Sequence, residues 1–411
     1  MVTSIRYFSL KKARYGVRLR IIFPMVHGSE AGVGARTRLR LGMVGGGPGA
    51  FIGAVHRLCA EMDREFTLTA GAFSSDPAKS AQAGRELGLD PTRVYGSWED
   101  MAEKEFALPA DRRIQAVSIV TPNHLHHGPA VEFLKRGFHV ICDKPLTTST
   151  ALAREIATAA KKSGKVFALT HNYTGYPMIR EARDLVRSGA LGEVRKVYAE
   201  YLQGWLADPL EQSGQKQASW RVDPAKSGPG GSLGDIGTHA FNLLEHVTGQ
   251  RVTRLYGQTK SFVPSRQVDD DAMALVELSN GASGTICCSQ VCVGRENGLR
   301  LRVFGTLGGF EWDQERPNDL LVYWKDRAPE LRRPGNGWIG ANARALGRIP
   351  PGHPEGYLEA FANVYRAFAR AIRGEADIQD AFPTAEDGVR GVAFIETVIA
   401  SSKSGEWAML A

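Results

Sequence analysis

Two side chains that could share acid–base chemistry, Asp235 and His239, stand four residues apart in the stretch GGSLGDIGTHAFNLLEHVTG. The apolar run after them predicts a helix that closes at Gly249, and this spacing places both side chains on one helical face. Neither residue type favours a helix interior. The pair is therefore either a helix cap beside a surface histidine or an acid–base pair at the floor of a site. Other motifs in the chain are needed to distinguish the two interpretations.

A glycine cluster, VGGGPGAFIG, follows a predicted strand and opens a predicted helix. Its first glycines fit G-x-G-x-x-G, in which the backbone approaches a pyrophosphate at a helix N-terminus. The third small position is either Ala50 or, if the loop has three extra residues, Gly53. This context favours nucleotide binding over a tight turn alone. The predicted cofactor contacts in this segment are Gly45, Gly47, Ala50, Phe51 and Ile52.

The acidic residue that reads the ribose hydroxyls in many such domains, about 20 residues further on, is not evident. Ser74 and Ser75 occupy that place, and Asp76 follows them. Serines accept either dinucleotide, whereas an aspartate would repel a 2′-phosphate. Because no clear arginine is present to bind that phosphate and Lys79 is the nearest basic residue, we expect NAD as the cofactor, with NADP possible.

The elements that would position these residues change in character along the chain. Strands alternate with helices from Arg38 onward, which predicts a parallel sheet. After about residue 174, long strand-like runs follow one another, two of them joined at Asn280-Gly281, a strong hairpin signal. The sequence thus predicts an α/β domain followed by an α+β domain with a mainly antiparallel sheet. Two more motifs, TPNHLHH and CDKP, each end a predicted strand, where open α/β sheets bind ligands.

Five motifs occur in a recognisable order: GGGPGAFIG, TPNHLHH, CDKP, SWRVDP and GGSLGDIGTHAFNL. Over nearly all of residues 38–411 the chain resembles the glucose–fructose oxidoreductase/inositol dehydrogenase/MocA family. The resemblance implies a Rossmann dinucleotide-binding domain over 38–172. It implies a C-terminal substrate-binding and oligomerisation domain over 173–411, with a large open sheet that builds a homodimer or homotetramer. Such enzymes mostly oxidise or reduce sugars and cyclitols with NAD(H) or NADP(H).

The resemblance also assigns catalytic roles. The family's E-K-P lysine maps to Lys144, and its D-x-x-x-H pair maps to Asp235 and His239. His239 fits the base for a hydroxyl proton, Asp235 can orient the imidazole or bind a neighbouring hydroxyl, and Lys144 can donate to the reacting oxygen. The chain departs from the family in its longer phosphate loop and in Asp143, which replaces the common glutamate beside the nicotinamide. The further predicted cofactor contacts are Ser74, Ser75, Thr121, Asn123, His126, Asp143 and Lys144.

A second set of side chains is predicted to meet the substrate. YLQGWLADP and SWRVDP are similar to members that act on pyranose rings, including levoglucosan-type dehydrogenases. Tryptophan faces suit the C–H surfaces of sugars, and arginine suits hydroxyls or an acidic group, although ordinary packing explains these residues equally well. The predicted substrate contacts are Asn172, Tyr173, Trp205, Trp220 and Arg221, together with Lys144, Asp235 and His239.

Composition excludes several classes of partner. Residues 1–40 hold nine Lys/Arg and one acidic residue (+8), whereas the whole chain is +7, so the remainder is about −1. The basic excess belongs to an N-terminal extension, residues 1–37, which we expect to be disordered or untranslated, and nothing predicts a nucleic-acid partner. No apolar run approaches the roughly 20 residues that span a bilayer, so we expect a cytoplasmic protein without membrane contact. Cys287, Cys288 and Cys292 lie in a strand-like run without nearby histidines, and we predict no metal site.

Three functions are compatible with these residues. The first is an NAD(P)-dependent sugar or cyclitol dehydrogenase. The alternative is an oxidoreductive glycosidase, which oxidises a sugar transiently, eliminates the aglycone and returns the hydride. A non-catalytic sugar or nucleotide sensor is disfavoured because Lys144, Asp235 and His239 are all present.

Overall fold

A computed structural model describes residues 37–375 and 382–410, so the predicted basic extension lies, except for Thr37, outside the described residues. The first domain is built on a parallel sheet of five strands in the order β2-β1-β3-β4-β5. Its strands are β1 (Leu39–Gly45), β2 (Phe66–Ala72), β3 (Ala116–Val120), β4 (His139–Cys142) and β5 (Phe167–Leu169). Its helices are α1 (Phe51–Met62), α2 (Pro77–Glu86), α3 (Trp98–Ala107), α4 (His127–Lys135) and α5 (Thr150–Ser163). The predicted parallel α/β domain is confirmed.

The second domain carries a nine-stranded sheet in the order β13-β12-β11-β10-β6-β9-β8-β7-β14. Its neighbours are antiparallel except for β6 and β9, which run parallel. The first of its strands are β6 (Val194–Leu202), β7 (Val252–Lys260), β8 (Asp271–Leu278), β9 (Ser283–Ser289) and β10 (Gly298–Gly305). The others are β11 (Gly308–Asp313), β12 (Leu320–Trp324), β13 (Glu330–Arg332) and β14 (Ala408–Met409). The predicted antiparallel character and the hairpin at Asn280-Gly281 are confirmed.

The remaining helices cover one face of this sheet or reach back to the first domain. They are α6 (Pro177–Arg187), α7 (Lys216–Arg221), α8 (Pro224–Ser227), α9 (Thr238–Thr248), α10 (Ala341–Arg344), α11 (Tyr357–Ile372) and α12 (Ala385–Ser404). Strand β6 shows why they pack there, since Val197, Ala199 and Tyr201 alternate with less buried residues and form an apolar face. Phe241 of α9 stacks on Phe394 of α12 in that core, with ring centroids 4.5 Å apart. Within the described ranges no helix combines the length and apolar character needed to cross a bilayer.

The last long helices complete the core of the first domain. Phe368 of α11 stacks on Phe66 of β2 at 5.8 Å, and Tyr365 meets the same ring edge-on. Val392 of α12 belongs to the apolar cluster that contains Ile156 of α5. The C-terminal segment therefore holds the two domains together.

The segment that carries Asp235 and His239 is not one regular helix. Leu233–Gly237 forms a π-helical turn, in which the Thr238 N–H donates to the Leu233 carbonyl, and α9 continues from it. As predicted, the helix closes at Gly249, whose φ of +66° suits a glycine C-cap. Asp235 lies within this wider turn and His239 lies in α9, so the two side chains are not spaced as they would be on one regular α-helix.

Candidate active site

A cavity of about 1330 Å³ is lined by the glycine loop, the carboxyl ends of the parallel strands and elements of the second domain. It brings together nearly all residues predicted from the sequence. Those on its wall are Gly45, Gly47, Ala50, Phe51, Ile52, Ser74, Ser75, Thr121, Asn123, Asp143, Lys144, Asn172, Tyr173, Trp205, Trp220, Arg221, Asp235 and His239. His126 does not line the cavity, because its buried ring lies between the carbonyl oxygens of Thr121 and Pro145, at 2.8 and 3.0 Å.

The glycine loop is shaped for an anion. A Cβ on Gly47 would lie 2.6 Å from the Phe73 carbonyl oxygen, and one on Gly53 would lie 2.4 Å from the Gly46 Cα. Gly53 is thus the glycine that lets α1 pack against the loop, while Ala50 is the extended N-cap residue. Helix α1 has no side-chain cap and no acidic residue in its first turn, so its first N–H groups are free for a phosphate. The loop fits a dinucleotide pyrophosphate.

The end of β2 offers hydroxyls and no free carboxylate. Asp76 caps α2, where its Oδ1 atom accepts from the backbone N–H groups of Ala78 at 2.9 Å and Lys79 at 3.4 Å. The Asp76 N–H in turn donates to the Ser74 Oγ atom at 3.1 Å. Ser74 and Ser75 line the cavity, as the sequence predicted, and Asp76 does not.

Lys144 and Asp235 form an ion pair across the two domains. The Lys144 Nζ atom donates to Asp235 Oδ1 at 3.0 Å and also to the Asp235 carbonyl oxygen. Both side chains are about 85% buried, since 14% and 15% of their surfaces are accessible. An ammonium has three N–H donors, so one remains for a ligand in the cavity.

Asp235 has two further partners. Its Oδ2 atom accepts from Arg221 Nε at 3.1 Å and from Gln290 Nε2 at 2.9 Å. Burial alone would raise the pKa of this carboxyl, but Arg221 and Lys144 outweigh it and hold the pKa well below its usual range. Asp235 therefore stays charged and fixes both cations at the cavity wall.

His239 does not pair with Asp235, which corrects the expectation that the carboxylate orients the imidazole. Its Nδ1 atom lies 3.2 Å from Nδ1 of His171, and the Tyr173 ring packs edge-on at 4.7 Å. Burial, the charge of Lys144 and His171 together lower the pKa of His239 well below its ordinary value. The imidazole is therefore neutral at pH 7, with Nε2 as the nitrogen that His171 leaves available.

Asp143, which the sequence comparison of motifs placed where a glutamate is common, is held by its neighbours. Its Oδ1 atom accepts from Thr170 Oγ1 at 2.6 Å and from the Lys144 N–H at 3.0 Å. His56 Nε2 lies 4.0 Å from the same oxygen. The shorter side chain remains on the cavity wall but is anchored toward β5.

A polar wall in the second domain joins the predicted Tyr173 and Trp205 to Tyr201, Gln203 and Asn297, which sequence reasoning missed. The hydroxyls of Tyr173 and Tyr201 are hydrogen-bonded at 2.5 Å, and Asn297 Oδ1 accepts from both Tyr201 and Gln203. Trp205 Nε1 donates to Gln203 Oε1 at 3.0 Å, which extends the wall. These residues line the cavity and are uncharged.

Some of the predicted substrate contacts have partners within the protein, and one has none. Arg221 lies over the Trp220 ring at 4.4 Å and near the Trp205 ring at 5.9 Å, so the three side chains form one stack. The buried Asn172 Nδ2 atom has no hydrogen-bond partner among the described residues, although Asn172 lines the cavity. A buried donor without a protein partner is costly unless a ligand or water receives it.

Two family models match this chain. Residues 39–171 match the family described as an oxidoreductase family with an NAD-binding Rossmann fold. Residues 179–311 match the GFO/IDH/MocA C-terminal domain.

Individual relatives span nearly the whole chain. The uncharacterized oxidoreductase YfiI of Bacillus subtilis is 34% identical over 89% of this chain and 95% of its own length. Levoglucosan dehydrogenase of Pseudarthrobacter phenanthrenivorans is 26% identical over 90% of this chain and 97% of its own. A crystal structure of an inositol dehydrogenase homolog from Azotobacter vinelandii, complexed with NADH and myo-inositol, superimposes with a TM-score of 0.84 and is 35% identical, covering 91% and 98% of the two chains.

Proposed function

The chain belongs to the GFO/IDH/MocA family of NAD-dependent oxidoreductases, and from this premise we propose that it moves a hydride between a ring carbinol of a sugar or cyclitol and the nicotinamide. One observation carries the proposal. Lys144, Asp235 and His239 share the cavity of the glycine loop, at the carboxyl edge of the parallel sheet. NAD supplies the redox chemistry when it is bound, and the side chains supply the proton chemistry.

Lys144 stabilises charge on the reacting oxygen. Two of its donors are engaged by Asp235, so its third N–H is held in a fixed place at the cavity wall. As the hydroxyl loses its proton, a preorganised ammonium lowers the energy of the developing alkoxide. Asp235 acts here by holding the lysine, and Arg221 and Gln290 hold Asp235 in turn.

His239 accepts the proton. Its buried ring is neutral at pH 7, as a base must be, and it lines the same cavity as Lys144. The O–H bond of the substrate breaks toward the Nε2 atom of His239, and the imidazole holds that proton while the ring carbinol is oxidised. The reverse reaction returns the same proton to the alkoxide oxygen.

The uncharged wall supports a neutral polyol as substrate. Tyr201, Gln203 and Asn297 present hydroxyl and amide groups, which suit ring hydroxyls, and the Trp205 and Trp220 rings suit C–H faces. The positive charges of Lys144 and Arg221 are already balanced in part by the Asp235 carboxylate, so the site does not require an anionic substrate. Two relatives, a levoglucosan dehydrogenase and an inositol dehydrogenase homolog, support the same substrate class.

A substrate screen tests the proposal. Purified protein is incubated with free sugars, anhydrosugars, inositols and glycosides, each with NAD and with NADP, while cofactor absorbance and products are followed together. We expect net reduced cofactor with at least one polyol. Cleavage of a glycoside without net reduction would instead establish transient oxidation, and no turnover with any of these compounds would refute a dehydrogenase of this class.

Two variants then test the assigned roles. His239→Ala and Lys144→Met should each lower kcat by roughly 10²–10⁴-fold, the usual worth of a lost acid–base group, with little change in NADH affinity. In the double variant kcat should fall by less than the product of the two single-variant factors, because the two residues serve one step. The matched controls are His353→Ala, at an exposed histidine, and Lys226→Met, which breaks only a surface pair with Asp223. Near-normal kcat in His239→Ala would remove His239 from the mechanism.

A further inference from the structure

The contact between His171 and His239 constrains where the protons of both rings lie. Their Nδ1 atoms are 3.2 Å apart, the rings are nearly perpendicular at 83°, and the residues are only 2% and 6% exposed. A hydrogen bond between two ring nitrogens needs one proton, since two N–H groups would repel and two lone pairs would leave both buried nitrogens unsatisfied. The two tautomers are therefore linked.

Both rings are neutral near pH 7. Burial and the charge of Lys144 lower the pKa of His171 to about 3, against a smaller opposing effect of Asp143. Burial, Lys144 and His171 lower the pKa of His239 as well. Two neutral imidazoles allow two arrangements. In one, His239 accepts at Nδ1 and carries its proton on Nε2; in the other, it donates from Nδ1 and has a free lone pair on Nε2.

We propose that His171 is a positioning residue, which accepts the Nδ1 proton of His239 and so leaves the Nε2 atom of His239 able to take the substrate proton. The inference rests on the proposed function, in which His239 is the base. In the opposite arrangement Nε2 already carries a proton and cannot act as a base. The carboxylate that orients the imidazole in many hydrolase triads has no equivalent here, because Asp235 is bound to Lys144, Arg221 and Gln290.

The same arrangement serves the protonated state. Once Nε2 has taken the substrate proton, the imidazolium donates from both nitrogens, and His171 Nδ1 still accepts without moving. The environment is therefore set before the reaction begins, which is how preorganised polar groups lower a barrier.

No other described group competes for Nδ1 of His239. The Tyr173 ring contacts it edge-on, and the Tyr201 ring lies 6.1 Å away, while the two phenol hydroxyls are hydrogen-bonded to each other. Lys144 and Asp143 are the charged groups that act on this pair of rings, and each has its own hydrogen-bond partners. Within the part of the chain that the structure describes, His171 is thus the one partner of that nitrogen.

Three substitutions at position 171 distinguish the effect of losing the hydrogen-bond acceptor from the effect of losing the ring. In His171→Asn the Oδ1 atom stands as many bonds from Cβ as Nδ1 does, so an acceptor is kept. His171→Phe keeps the ring and removes the acceptor. His171→Gln cannot place a carbonyl at the same distance from Cβ and serves as the polar control.

We expect His171→Phe to lower kcat by roughly 10²-fold, as for a mispositioned base, with KM and NADH affinity nearly unchanged. His171→Asn should recover most of that loss, and His171→Gln should not. The acid limb of kcat/KM should shift in His171→Phe, because the Nδ1 atom of His239 loses its hydrogen-bond partner. Thermal unfolding and NADH binding show whether each variant is folded.

Nitrogen-15 NMR of labelled histidine gives a readout that needs no turnover. Wild-type His239 should carry its proton on Nδ1, and His171→Phe should move it to Nε2. A wild-type His239 protonated on Nε2, or a folded His171→Phe with unchanged kcat and an unchanged acid limb, would overturn the inference. If no polyol is turned over, the proposed function fails, whereas the tautomer measured by NMR still decides the position of the proton.

Discussion

The Oδ1 atom of Asp235 lies 3.0 Å from the Nζ atom of Lys144, and this contact joins the π-helical turn of the second domain to the end of a Rossmann strand. Asp235 also holds Arg221, so one carboxylate balances two cations that are mostly buried. A pair of this kind is expensive to break, because the remaining charges stay in a poorly solvated site.

We therefore expect Asp235→Asn to reduce both activity and stability. Losing one partner of a buried pair costs about 3–5 kcal/mol, and residual exposure places the effect at the lower end. Urea unfolding should show this loss, and kcat should fall because Lys144 is no longer held. The matched control is Glu277→Gln, which breaks an exposed pair with Arg254 and should cost under about 1 kcal/mol. Equal stability in both variants would contradict the role given to Asp235.

The pH dependence of polyol oxidation should have its acid limb below the ordinary histidine range. His239 must be deprotonated to act, so the rate rises as pH increases through its pKa. Burial, Lys144 and His171 lower that pKa, and kcat/KM should be on its plateau by about pH 7. An unperturbed histidine would instead give a limb near pH 6.5, roughly the pKa of a free imidazole. A profile of kcat/KM against pH measures the limb, His239→Ala should lack it, and a midpoint above pH 7 would contradict this assignment.

Adding one methyl group to the phosphate loop should weaken cofactor binding. In Gly53→Ala the new Cβ would lie 2.4 Å from the Gly46 Cα, so the loop and α1 must separate. Overpacking of this kind costs about 1–3 kcal/mol. If this cost reduces the free energy of NADH binding, the dissociation constant rises by at least about fivefold. Fluorescence titration gives that constant. Gly337→Ala is the control, because nothing lies within 4 Å of its new Cβ, and equal affinity in both variants would refute the loop packing.

Cofactor choice should respond to a carboxylate at the end of β2. Ser74 and Ser75 offer hydroxyls, and the Asp76 carboxylate is occupied as the cap of α2. Ser74→Asp should therefore raise the preference for NAD over NADP, since the new charge repels a 2′-phosphate. Dissociation constants for both cofactors measure the change. Wild-type protein that binds NADP more than about a hundredfold tighter, roughly 2.7 kcal/mol, would show that this turn is misread.

Much of the fold and the chemical residues could be predicted because they are local in sequence. Strand periodicity, the glycine cluster and the spacing of Asp235 and His239 all lie within short windows. Gly53 could not be separated from Ala50, because only the approach of α1 to Gly46 shows which position must lack a side chain.

Contacts between distant segments could not be predicted in the same way. His171 is 68 positions from His239, and their pairing depends on how the two domains pack. The wall formed by Tyr201 and Gln203 did leave a signal, since Tyr201 continues the inward alternation of Val197 and Ala199 along β6 and Gln203 follows directly after that strand. Their role as wall residues still depended on the pairing of β6 with β10, which brings Asn297 beside them.

The placement of α11 has a consequence for synthesis of the chain. A ribosome delivers β1 to β5 long before Phe361, Tyr365 and Phe368 emerge, yet these rings cover one side of that sheet. The nascent Rossmann sheet therefore keeps Phe66 without its aromatic partners Tyr365 and Phe368 until α11 has been synthesised, a state that invites chaperone capture. A premature stop codon after α10 would consequently remove core side chains from the first domain as well as from the last.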